Sequence, residues 1–186
     1  MKQILMAACV AFTFAGCNND SKKEETSTAE TSAATTNSAM ETKAPLPYPL
    51  TKPYKEWEIG SHQNVVNAMS ALKAFADKDF AALEATIGDS MEVTFDNVNE
   101  KMTKDSAMKM FTKMRRDYGD IKVIMYDYVP VTSADKNDEW VTMWYKQVWQ
   151  DNKGKWDSAN VVDDIKMKNG KMIQLDEKMQ RIAAKK

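Results

Sequence analysis

Apolar and polar residues alternate along the second half of the chain. Residues 121–133 (IKVIMYDYVPVTS), 139–151 (EWVTMWYKQVWQD), 155–168 (KWDSANVVDDIKMK) and 171–182 (KMIQLDEKMQRI) repeat with a period near two. They are rich in β-branched and aromatic residues and read as strands. DNKG at 151–154 and Asn169-Gly170 punctuate the last three. A two-residue Asn-Gly loop is a strong hairpin signal, so the run predicts an antiparallel meander.

Ahead of these strands the period is helical. Ser61 is a good N-cap, and Val65, Met69, Leu72 and Phe75 or Ala76 follow at helical spacing. A short second helix is expected from Asp79, with Phe80, Leu83 and Ile87 on one face and Gly88 at its end. SMEVTFD reads as a strand. Thr103 caps a third helix whose apolar stripe is Ala107, Met110, Phe111, Met114 and Tyr118, with Gly119 as its terminator. Two helices, a strand, a helix and four long strands predict an α+β fold. A curved antiparallel sheet would wrap around the helices as a cone with a cavity.

The first third of the chain lacks this patterning. Residues 21–44 are Ser, Thr, Ala, Glu and Lys with almost no large apolar residue. Such a segment cannot bury enough surface to offset its ordering entropy, and predicts a disordered tether. A coil of that length spans about 30 Å on average. Residues 45–60 carry prolines at 45, 47, 49 and 53 and aromatics at 48, 54 and 57. Proline favours extended backbone, and the aromatics predict a lead-in segment lying against the domain. A proline-rich ligand for a partner protein is the alternative. The folded domain is expected over residues 61–183, long enough for one full core.

At the start, Lys2 precedes the apolar run ILMAACVAFTFAG, which is too short to span a bilayer. Residues 1–16 read as a cleaved export signal. Phe14-Ala15-Gly16-Cys17 resembles the lipobox of bacterial lipoproteins. That resemblance implies cleavage before Cys17, its lipidation, and a stable membrane anchor followed by the tether, 17–44. Cleavage would remove Cys9, so the exported domain would hold no thiol or disulfide. Asn18 after the cysteine resembles lipoproteins sent to the outer membrane, on its periplasmic face or at the cell surface.

Charge and composition exclude other classes. Lys and Arg number 26 against 27 Asp and Glu, a net charge of −1, so no basic field is available for nucleic acid. A single histidine, His62, stands beside a helix-start serine, and no glycine-rich phosphate loop is present. The chain is expected to use no metal and no cofactor, and most of its 14 methionines to fill the core.

One acidic residue breaks the pattern. In ANVVDDIKMK, Asp163 shares a strand face with Val161 and Ile165, whereas Asp164 points with the lysines. A carboxyl group among apolar neighbours is costly to ionise. It must find a partner, stay protonated or line a wet pocket; otherwise it sits at a solvated sheet edge. On the preceding run, residues 139–151, the Met143–Tyr145 face is expected to point inward. The expected pocket lining is Met143, Tyr145, Val161, Asp163 and Ile165, with Met69 and Leu72 from the first helix.

The element order resembles the nuclear-transport-factor-2-like superfamily, above all its SnoaL-like and ketosteroid-isomerase-like branches. ADKDFAALEATIGDSMEV resembles the family's second-helix segment and VVDDIKMKNGKMIQL its last hairpin. In the ketosteroid-isomerase-like branch, the resemblance makes Asp96 a base and Asp163 a protonated oxyanion donor. Ketosteroid isomerase is itself the known example of a carboxylic acid kept neutral by an apolar site. The branch's third member, a tyrosine on the first helix, has no counterpart in VVNAMSALKAF. The resemblance also implies a homodimer through the open sheet face. The expected function is a non-enzymatic binder of a small apolar molecule or of an envelope partner. The alternatives are an acid–base enzyme (isomerase, cyclase or hydratase type) acting on a carbonyl compound through Asp96 and Asp163, and a structural subunit of an envelope complex.

Overall fold

In chain order the elements are β1 (Glu58–Ile59), α1 (His62–Asp77), α2 (Phe80–Thr86), β2 (Ile87–Phe95), β3 (Val98–Thr103), α3 (Lys104–Arg116), β4 (Ile121–Thr132), β5 (Glu139–Gln150), β6 (Trp156–Lys168) and β7 (Lys171–Arg181). The computed structural model describes residues 44–95 and 98–181. Cys17 and Asp96, and with them the lipid anchor and the expected base, lie outside the described residues. The chain divides into two compact units, Met1–Pro47 and Tyr48–Lys186. Residues 44–47 of the first carry no helix or strand. The second holds every element above.

The four alternating runs form strands and pair as a meander, β4–β5–β6–β7, antiparallel throughout. Asn169 and Gly170 both take positive φ, 52° and 72°, which is what the tight β6–β7 turn requires. The seven-stranded sheet runs β1-β4-β5-β6-β7-β2-β3. It is curved and unclosed, and together with the three helices makes an α+β fold. One pairing departs from the expected antiparallel arrangement: β2 lies parallel to β7. Parallel pairing needs a long crossover, and here everything from β3 to β6 serves as that connection.

The helices begin largely where capping chemistry puts them. The Thr103 hydroxyl accepts from the Ser106 amide and the Asp79 carboxylate from the Ala82 amide. Ser61 is the N-cap of α1 by position, with no side-chain cap bond. Three expectations need correction. Gly88 does not end α2. The helix stops at Thr86, and Ile87, already extended, opens β2, which includes Gly88. Tyr118 and Gly119 fall beyond α3, which ends at Arg116. Residues 45–60 do not bury their aromatics: Tyr48 is 81% exposed and Tyr54 58%. The strand pairing of this segment, among the described residues, is two residues long, Glu58 and Ile59 against Thr132 and Val131. Gly60 then passes so close to β4 that a Cβ would meet the Val131 backbone at 2.9 Å.

The core lies between the concave sheet face and the helices. β5 alternates strictly: Val141, Met143, Tyr145, Gln147 and Trp149 are buried, and Trp140, Trp144 and Lys146 point away. On α1 the buried line runs through Val65, Ala68, Ala71 and Ala74. Its small residues let the helix approach the sheet without filling the space beneath it. Arg115, 2% exposed, locks the ends of two helices together. Its guanidinium donates to the carbonyls of Phe75 (2.9 Å) and Ala76 (2.8 Å) in the last turn of α1. It also donates to those of Tyr118 (2.7 Å) and Gly119 (2.8 Å) after α3. Helix C-termini leave such carbonyls without intrahelical donors and favour a cation.

Candidate functional site

A cavity of about 80 Å³ lies between sheet and helices. Ala68 and Ala71 of α1 form part of its roof, with Phe75, Leu83, Phe111 and Met114 around them. The floor is the inner face of the sheet: Met143, Tyr145 and Gln147 from β5, Asp163 and Ile165 from β6, Leu175, Glu177 and Met179 from β7. Phe95, the last residue of β2, lines it too. The space exceeds that of a single water and is smaller than the 300–1,000 Å³ of common ligand pockets. Larger occupants would need the flexible methionine side chains to shift.

Leu72, Met143, Tyr145, Asp163 and Ile165 thus meet around one space. Val161 and Met69 do not reach it. Val161 is fully buried, paired across the strands with Tyr145. Met69 packs against the core from the side, because the inward line of α1 runs through the alanines. His62 lies exposed at the start of α1. Among the described residues no cluster of His, Cys, Asp or Glu is placed to hold a metal ion.

Asp163 is the polar centre. It is 4% exposed, and its Oδ2 accepts a hydrogen bond from the Tyr145 hydroxyl at 2.9 Å. Its Oδ1 is buried and has no hydrogen-bond partner among the described residues. Burial, above all, and then the charge of Glu177 push its pKa up to about 8, outweighing the Tyr145 hydrogen bond, which pulls it down. At neutral pH Asp163 is therefore the neutral acid. With Oδ2 occupied by Tyr145, the acid proton belongs on Oδ1, the atom without a partner. Burial, with the charge of Asp163 second, pushes the Tyr145 phenol well above its ordinary range, so it too keeps its proton. Tyr145 commits its single proton to Asp163 Oδ2, so the donor left for the pocket is the acid O–H of Asp163.

Asp164, one residue on, shows the opposite environment. It points to the outer face, accepts from Thr142 Oγ1 at 2.6 Å and pairs with Lys178 at 2.9 Å. Of these two adjacent aspartates, one is dry and the other solvated.

The tyrosine beside the acid comes from β5, not from the first helix. Glu177 and Gln147 join the site without having stood out in the sequence. Glu177 alternates with Leu175 and Met179 along β7, which is the signal that could have found it.

No protein-family model matches the chain, and no curated protein does. Solved structures do match it. One is described as an NTF2-like protein of unknown function from Burkholderia pseudomallei; it is 9% identical, with 64% of this chain and 92% of that one covered, at a TM-score of 0.54. An NTF2-like protein from Exiguobacterium sp. 255-15 is 13% identical over 61% of this chain and 98% of that one, TM-score 0.50. The fold is nuclear-transport-factor-2-like. TerC, co-crystallised with polyporic acid, is 12% identical over 63% of this chain and 92% of its own, TM-score 0.52. Identities this low establish the fold alone, so the chemistry rests on the side chains around Asp163.

Proposed function

We propose that this domain binds a small, mainly apolar molecule carrying a hydrogen-bond-accepting oxygen, such as a ketone, in the cavity above Asp163. One observation carries the reading. A neutral carboxylic acid, buried among apolar side chains and held by Tyr145 through one oxygen, keeps its other oxygen without a partner among the described residues. A buried donor left unmade costs about 1–3 kcal/mol, and a ligand oxygen would recover that cost. At about 80 Å³ the cavity takes a single small ring once the flexible methionines that line it shift.

In this proposal the chain is exported, lipidated at Cys17 and tethered at the outer membrane, so that the pocket samples the envelope. The outer sheet face carries Ile124, Tyr126, Trp144 and Trp156, all exposed. A second copy docking there would make the homodimer, and an envelope partner on the same face would make the scaffold reading. The enzyme reading has its own support, since a second carboxyl, Glu177, lines the cavity beside Asp163.

Cyclohexanone is a suitable probe, being small, apolar and a carbonyl compound. Titrated at neutral pH, it should perturb the NMR methyl signals of Met143 and Ile165, and Ala71→Leu, which fills the roof, should abolish the effect. Perturbations scattered over the surface, or binding that survives Ala71→Leu, would remove the reading.

A further inference from the structure

The net charge of −1 hides an uneven distribution. Between residues 101 and 116 stand six basic side chains, Lys101, Lys104, Lys109, Lys113, Arg115 and Arg116, against one acidic, Asp105. Arg115 is buried against the helix ends. On the outer side of α3, Lys109, Lys113 and Arg116 line an open groove with Met108 and Thr112. We propose that this face of α3 docks on a membrane surface of anionic, phosphate-bearing lipids. This rests on the lipid-anchored reading above for the nearness of a membrane, and goes further by naming the face that meets it.

Helix geometry aligns the charges. Residues at i, i+4 and i+7 stack on one side of a helix, which puts Lys109, Lys113 and Arg116 in a row. All three are exposed, and none pairs with a carboxylate among the described residues. Like charges so stacked weaken a helix. The macrodipole accounts for part of the set, because cations favour a helix C-terminus, where Lys113 and Arg116 stand. It does not account for Lys104, the first residue of α3, or for Lys101 ahead of it, at the end that favours anions. An external layer of anions relieves both conflicts. Long basic side chains can lay their stems along apolar surface and reach outward with their heads, and Met108 provides that surface here.

Charge and reach choose the occupant. A short basic patch on a chain with no net positive charge suits a surface the chain is already held beside, not a polyanion that must be captured from solution. β1 and β3 are the two edges of the sheet, and α3 packs against β2 and β3. Counted along the strand order, the sheet measures about 30 Å from edge to edge. The expected tether, which leads to the β1 edge, averages about the same length. An anchor on the β1 side therefore leaves α3 free to reach the lipid. The inner face of the same helix, through Phe111 and Met114, lines the cavity. With α3 seated on lipid, the cavity lies about one helix diameter, roughly 10 Å, from the headgroups, close to where an apolar molecule partitions.

Vesicle flotation tests it on the chain from Asn18 onward, which lacks signal and anchor and keeps the compact unit with every element of the fold. At low salt the protein should float with vesicles of phosphatidylglycerol mixed into phosphatidylcholine and stay behind with phosphatidylcholine alone. Sodium chloride at about 1 M should release it. Each basic residue near an anionic membrane is worth about a factor of five, so Lys109→Gln, Lys113→Gln and Arg116→Gln together should weaken binding about 100-fold. Lys52→Gln, Lys136→Gln and Lys168→Gln, which remove as much charge outside α3, should leave the protein afloat. No flotation, equal flotation on both vesicles, or equal losses in the two triple variants overturns the docking face. Soluble heparin bound as tightly through the same three residues would make the occupant an anionic polymer and overturn the lipid surface. Since this chain carries no anchor, failure here leaves the lipidation of Cys17 standing, and fatty-acid labelling tests that alone.

Discussion

The Tyr145 hydroxyl donates to Asp163 Oδ2 across the β5–β6 pair at 2.9 Å, although the two residues are diagonal and not directly paired. Met143 faces Asp163, and Tyr145 faces Val161. Tyr145→Phe removes the one hydrogen bond that favours the ionised carboxyl. Its loss should move the Asp163 midpoint above about 8 and cost about 1–3 kcal/mol in a urea melt, because a buried acceptor loses its donor. A midpoint that falls in carboxyl NMR would contradict this account.

Stability should depend on pH through the same residue. Folded Asp163 keeps its proton to about pH 8, whereas an ordinary aspartate releases it near 3.8. Between those values the folded chain binds more protons than the unfolded one. Its contribution is therefore complete below pH 3.8 and drains away as pH rises toward 8, at up to about 1.4 kcal/mol per pH unit. Asp163→Asn should flatten that slope in chemical melts at a series of pH values. An identical slope in the variant would show that other groups govern it.

Arg115 should be among the least replaceable residues of the fold. Arg115→Met strips the carbonyls of Phe75, Ala76, Tyr118 and Gly119 of their shared donor. Four part-buried acceptors, of which Phe75 keeps the Lys78 amide, at about 1 kcal/mol each predict a loss of roughly 3 kcal/mol. Arg115→Lys keeps the charge without the planar fork and should recover only part of it. A loss under about 1 kcal/mol for Arg115→Met, the size of a single ordinary hydrogen bond, would mean that the clamp is incidental.

The outer sheet face gives an oligomer prediction. The wild-type chain, with its lipidation sequence removed, should run as a dimer in light scattering, and Trp144→Lys as a monomer. Trp144 is a partly exposed member of the aromatic outer face, so the substitution disturbs that surface and spares the core. A wild-type monomer at tens of micromolar would dismiss the interface.

Cys17→Ser should abolish lipid attachment. Metabolic labelling with a fatty acid that still marked the variant would refute the lipobox reading.

Much of this was legible in the chain because alternation survives wherever one sheet face is dry. β4 to β7 follow from period and their last turn from Asn169-Gly170; period put Met143 and Tyr145 on one face but did not say which face is inner, because both faces of β5 carry large apolar groups. Asp163 declared itself by keeping company with Val161 and Ile165. Its partner across β7 did not. Counting back from an uninterrupted turn pairs Asp163 with Asp176. A bulge at Ile173 shifts the register by one, and Glu177 takes the place. β3 was hidden because VNEKMT has little apolar alternation; it is a strand through its pairing with β2. The alanine roof of the cavity was hidden for a related reason. Leu72 and Met69 signal a helix face loudly, whereas Ala68 and Ala71, which leave the space open, signal it weakly.

The parallel pairing of β2 with β7 also sets a timetable. Among the described strands, β7 alone joins the β2–β3 hairpin to the rest of the sheet. Val93 finds Leu175 only after more than half of the domain has followed it. Contacts so distant along a chain form slowly, because the intervening loop must close before they reward it. A chain emerging N-terminus first therefore cannot complete its sheet until its final strand arrives. For the exported lipoprotein proposed above, that delay would keep the polypeptide threadable throughout its passage across the membrane.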